Sequence, residues 1–143
     1  MDHPSDQRDF PARMAMLAET AAFVEAFCER HGVARDDALR ITLIVEELFT
    51  NTISHGFNGD SDTLIGIRLT RGDAHIEVCY EDRAPEHDPI ERLRSSPASL
   101  GAPLEARPIG GLGMHLIGQL STSARHAYEG GMNRLWLDVV CRG

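Results

Sequence analysis

Residues 65–69 and 76–80 each alternate apolar and polar positions, with Ile65, Ile67 and Leu69 in one run and Ile76, Val78 and Tyr80 in the other. A period of two marks a strand with one buried face. Arg71-Gly72-Asp73 between the runs makes a tight turn, so the strands pair antiparallel. A hairpin with one apolar face must be covered, and the flanking segments have the pattern to do it. From 12 to 31, Met16, then Ala22 or Phe23, then Ala26 or Phe27 recur at helical spacing, and His31-Gly32 ends the run. Val33-Ala34-Arg35 leads to Asp36 and Asp37, good residues for opening a second helix, which runs to about His55 and stops at Gly56. Its apolar stripe is Ile41, Ile44, Val45, Leu48 and Thr52. Beyond 109, Leu112, Leu116 and Leu120 mark a third helix. Strands over 124–128 and 134–140 follow, joined by Glu129-Gly130-Gly131-Met132. The order helix, helix, hairpin, long loop, helix, hairpin predicts an α/β (α+β) two-layer sandwich, a mostly antiparallel sheet covered on one face by helices.

At 143 residues the chain reads as one domain, 1–143, with a polar start over 1–9 expected to be mobile. A net charge of −8 argues against non-specific nucleic-acid binding. No apolar run approaches the ~20 residues of a membrane span, and Met1-Asp2-His3-Pro4 does not open a signal peptide, so a cytoplasmic location is expected. Cys28, Cys79 and Cys141 are odd in number, widely spaced and without Cys-x-x-Cys, and read as reduced thiols, two of them half-buried. No histidine pair has zinc spacing; His55 follows Asn51 by one helical turn and reads as a helix-surface residue before it reads as a ligand. All 14 basic residues are arginine. Without lysine there is neither a Walker-A loop, nor the strand lysine of ordinary protein kinases, nor a Schiff-base mechanism.

Three places carry chemistry. Glu47 and Asn51 sit one turn apart on one flank of the second helix, with Glu46 on the opposite flank. Stacked this way they suit a proton acceptor and a ligand for a hard cation, although a solvated helix acid is the plainer reading of Glu47. Continuing the alternation of the second strand puts Asp82 on the buried face, where an acid needs donors; a bulge or turn start would also place it there. Gly110, Gly111 and Gly113 precede an apolar helix, a pattern that lets backbone approach phosphate and then offers N-terminal amides to an anion. Between them, 83–109 holds five prolines (Pro85, Pro89, Pro97, Pro103 and Pro108) and reads as a long functional loop or lid, with room for a short helix over 90–94. Together these features suggest a site for Mg-ATP.

These motifs, in this order, resemble the Bergerat-fold ATPases shared by gyrase B, histidine kinases and the heat-shock chaperone of that superfamily. The nearest match is the single-domain branch, the anti-sigma factor serine/threonine kinases, and it extends from Phe10-Pro11-Ala12 through Pro103-Leu104-Glu105 to Val140. The resemblance implies that Glu47 activates the attacking hydroxyl, that Asn51 coordinates Mg²⁺, and that Asp82 accepts from the adenine amino group. It further implies that Gly110, Gly111 and Gly113 line the triphosphate at the base of an ATP lid, and that Leu112, Met114 and His115 offer amides to phosphate. Arg107 would be a phosphate contact or a solvated arginine. The family's Asp-x-Gly reads Asp82-Arg83-Ala84 here, so that Ala84 stands at the adenine loop in place of glycine, while Asp88-Pro89 matches the branch. The implied partners are a small anti-sigma factor antagonist and/or a sigma factor, with homodimer pairing near the first helix and with no direct nucleic acid and no membrane. The implied function is an ATP-dependent serine/threonine-protein kinase in partner switching. The alternative is an ATP-binding regulatory module with little or no kinase activity; a small α/β domain without ligand would leave the proline-rich loop and the buried Asp82 unexplained.

Overall fold

The structure, a computed structural model, describes residues 3–87 and 121–141. The third helix, the short helix over 90–94 and the lid beyond 87 lie outside the described residues. Within them, the expected pairing is present: β2 (Leu64–Arg71) and β3 (His75–Asp82) form one antiparallel hairpin, β4 (Ser121–Glu129) and β5 (Met132–Val140) another. The second hairpin turns on Gly130 and Gly131, both at positive φ (60° and 76°), the conformation a two-residue hairpin turn demands at both central positions.

A fifth strand corrects the sequence reading. Residues 5–9, expected to be a mobile start, belong to β1 (Ser5–Pro11), which pairs antiparallel with β2. The alternation is hidden because β1 is an edge strand that buries only Phe10, while Arg8 stacks its guanidinium 4.7 Å from the Phe10 ring. Charge along an exposed edge also discourages pairing with other chains. The sheet order is β1-β2-β3-β5-β4, so the second hairpin joins the first through β3 and β5.

The helices α1 (Leu17–Arg30) and α2 (Arg35–Asn51) cover one face. α1 starts later than its periodicity suggests. Met14 N–H donates to Asp60 and Arg13 Nε to Asp62, so the 57–63 loop holds the entry to the helix as a single 3₁₀ turn. Its buried residues are Thr20, Val24, Phe27 and Cys28, with Ala22 and Ala26 exposed, so the polar Thr20 concealed the true stripe. Thr20 satisfies its hydroxyl locally by donating to the Leu17 carbonyl. Gly32, at φ 67°, closes α1 as a left-handed cap. The stripe of α2 is as expected, with Ile41, Ile44, Val45, Leu48 and Thr52 all buried. Ile41, Ile44, Val45 and Leu48 pack with Ile65, Ile67, Leu69, Ile76, Val78, Leu135 and Leu137 in one core, which completes the two-layer sandwich.

All three cysteines, and not two, are buried free thiols. Burial, followed by the Cys141 thiolate's repulsion, pushes the Cys28 thiol up to about 11, and burial raises Cys79 and Cys141 as well. A raised thiol is neutral in the fold while the unfolded chain already ionises, so stability falls as pH climbs from the ordinary thiol value of 9.0 toward about 11. The melting temperature should therefore decline across that window, and Cys28→Ala should flatten the decline.

Candidate functional site

The site forms where α2 and β3 end and β5 begins. α2 is regular through Asn51 and then widens into one π turn, Thr52–Gly56, marked by the Phe57 N–H donating to the Thr52 carbonyl at 2.9 Å. Such widened turns cluster at functional sites. They change the direction of the chain without exposing Thr52, which stays in the core. Asn51 is 7% exposed and Asp82 2%.

Both residues line one pocket, together with Leu48, Thr52, Tyr80, His87, His126, Asn133 and Leu135. Glu47 stands one turn before Asn51, half-buried and outside the pocket wall, and Glu46 is half-buried as well. The structure thus brings Asn51 and Asp82 together in the pocket wall and leaves Glu47 outside it. Arg107, Gly110, Gly111, Leu112, Gly113, Met114 and His115 lie outside the described residues.

Asp82 has the donors that a buried acid requires. Its Oδ1 accepts from the Ala84 N–H (3.1 Å) and from Asn133 Nδ2 (2.9 Å), and its Oδ2 from the Thr52 hydroxyl (3.0 Å). His87 Nε2 stands 3.9 Å from Oδ2. Asn133 faces Asp82 as its cross-strand partner. Its amide also donates to the Ala84 and Pro85 carbonyls, while its Oδ1 accepts the His87 N–H at 3.1 Å. One side chain on β5 thereby fastens the turn that follows β3 and steadies the carboxylate. Sequence reading singled out neither Asn133, His87 nor His126, because nothing local ties them to Asp82; Tyr80 was read only as part of the apolar face of its strand, and Thr52 only as part of the apolar stripe of its helix.

Ala84, the departure from Asp-x-Gly, is 1% exposed and does not line the pocket. A Cβ added to Gly56 would lie 2.8 Å from the Ala84 Cβ. The missing side chain at 56 therefore makes the space that the alanine at 84 fills. Gly56→Ala should force the turn off α2, lowering stability by about 1–3 kcal/mol as overpacking does. Ala84→Gly in the same chain should restore it. Melting curves of the two single variants and the double variant check the compensation.

The fold is that of a histidine-kinase-like ATPase domain. The model of the family described as the histidine kinase-like ATPase domain matches residues 10–139, and the chain belongs to that family. ATP is the nucleotide the family implies. Among its relatives are the serine-protein kinases RsbW of Listeria monocytogenes, 24% identical over 132 residues (92% of this chain, 84% of the relative), and of Bacillus cereus, 26% identical over 134 residues (92% and 82%). The expected resemblance to anti-sigma factor serine kinases is thereby borne out. Solved structures share the fold as well. The RsbU and RsbW domains of Rv1364c from Mycobacterium tuberculosis match with a TM-score of 0.66 and 17% identity, covering 98% of this chain and 33% of that one. The SiaB–SiaC complex from Pseudomonas aeruginosa matches with a TM-score of 0.62 and 16% identity, covering 94% and 89%. No helix among the described residues is long and apolar enough to cross a membrane.

Proposed function

We propose that this chain is an ATP-dependent serine/threonine-protein kinase that works as an anti-sigma factor or partner-switching regulator and phosphorylates a small anti-sigma factor antagonist. The observation that carries this reading is the buried Asp82, held by three donors, in one pocket with Asn51. An aspartate so supplied accepts a hydrogen bond from an amino group and repels a carbonyl, which selects adenine over guanine. The Asn51 amide oxygen suits Mg²⁺, which keeps several waters and takes few protein ligands. With Mg²⁺ bound, charge on the transferring phosphoryl group is neutralised. Glu47, one turn away on the same flank, orients the incoming serine hydroxyl and takes its proton. Positioning supplies most of the rate, since phosphoryl transfer needs little covalent help. The glycines Gly110, Gly111 and Gly113, with Leu112, Met114, His115 and Arg107, complete the phosphate end in this reading.

The partners are an antagonist protein and/or a sigma factor, by likeness to relatives named as serine-protein kinases and to a fold neighbour solved with its partner SiaC. Sensor histidine kinases carry an acceptor histidine domain, and this reading needs none. The alternative, an ATP-binding regulatory module with little kinase activity, leaned on Ala84, whose methyl group is housed against Gly56. Co-purification followed by mass spectrometry identifies the partner, and incubation of the pair with labelled Mg-ATP reads the transfer. Phosphoserine on the antagonist is the expected result; a stable complex with ATP bound and no transfer would hand the site to the alternative.

A further inference from the structure

Thr52 brings a hydroxyl into a position where the core needs only a methyl group. Its Oγ1 lies 3.0 Å from the Leu48 carbonyl, 2.7 Å from Tyr80 Oη and 3.0 Å from Asp82 Oδ2, and Tyr80 Oη is itself 3.0 Å from the Leu48 carbonyl. Two hydroxyl protons serve this cluster. The Leu48 carbonyl already accepts the Thr52 backbone N–H. Asp82 is the strongest acceptor present, so the Thr52 proton goes to Oδ2. The Tyr80 proton then goes to Thr52 Oγ1, which makes the shortest contact of the set a hydrogen bond. Burial raises the Tyr80 phenol well above its ordinary value, so it remains an O–H donor.

A carboxylate offers about four lone-pair sites. Ala84 N–H and Asn133 Nδ2 fill those of Oδ1, and Thr52 takes one of the two on Oδ2. Among the described residues, the remaining site belongs to Oδ2, the oxygen nearest His87 in the pocket. We propose that Thr52, backed by Tyr80, is a positioning residue for base recognition: it turns Asp82 so that the one open lone pair of Oδ2 meets the amino group of adenine. The inference rests on the ATP reading of the pocket.

The test compares ATP with purine riboside triphosphate, which has hydrogen in place of the amino group. Wild type should bind ATP about tenfold or more tightly than the analogue. Thr52→Val keeps the shape and removes the hydroxyl. It should weaken ATP about tenfold, leave the analogue unchanged and so erase the preference, whereas Thr52→Ser should preserve it. Tyr80→Phe should lower ATP affinity by a smaller factor, again sparing the analogue, and it decides the matter should Thr52→Val fail to fold. A structural role alone would weaken both nucleotides equally. Equal weakening, or a preference as strong in Thr52→Val as in wild type, overturns the role of Thr52 and leaves the ATP reading standing. If wild type itself bound the two nucleotides equally, the adenine assignment of Asp82 would fall, and the inference with it.

Discussion

Glu47→Gln should bind Mg-ATP nearly as wild type does and transfer phosphate at least about 100-fold more slowly. The amide preserves the shape of the side chain and removes the proton acceptor. Glu46→Gln should leave both binding and transfer close to wild type. The two acids differ only in helical phase: Glu47 lies about 40° from Asn51 around the helix axis, Glu46 about 140°. Both are half-buried on α2, so burial does not distinguish them. Asn51→Ala should instead weaken Mg-ATP binding itself, by about tenfold, through loss of an oxygen ligand. Transfer of labelled phosphate to the cognate antagonist, with nucleotide affinity in parallel, separates the three. A dead Glu46→Gln beside an active Glu47→Gln would mean that the catalytic flank has been assigned to the wrong side of α2.

Asp82→Asn should lose both adenine affinity and the preference for ATP over GTP. Three donors converge on the carboxylate. An amide placed there must turn its own NH₂ toward one of them, or toward the adenine amino group. Either arrangement sets donor against donor, at about 1–3 kcal/mol for each group left unpaired. ATP affinity should fall by roughly 10- to 100-fold, with a lower melting temperature, since the turn fastened by Asn133 loosens too. Calorimetry with ATP and GTP on both proteins reads the first effect, and thermal melting reads the second. Unchanged ATP binding in Asp82→Asn would remove Asp82 from the base-recognition site.

Periodicity was sufficient to locate α1 and α2 and to give both hairpins, because burial imposes 3.6 on a helix and two on a strand. The stripe of α2 from Ile41 to Thr52 and the alternation carrying Asp82 onto the buried face were legible for that reason. β1 was not legible, since an edge strand with only Phe10 buried has no alternation to read. The face of α1 was blurred by Thr20, a polar residue that pairs within its own turn.

The sequence by itself determined the phase of Glu47 and Asn51, the burial of Asp82 and the antiparallel pairing within each hairpin, all consequences of contacts near in the chain. Tertiary structure alone decided which donors meet Asp82. Asn133 reaches it because β5 pairs with β3 in the register that opposes residues 82 and 133, and Thr52 reaches it because the π turn ends α2 against the tip of β3. Gly56 and Ala84 likewise acquire their meaning only as a pair, a space and the methyl group that fills it. Packing between distant segments sets these relations, and no local period encodes them.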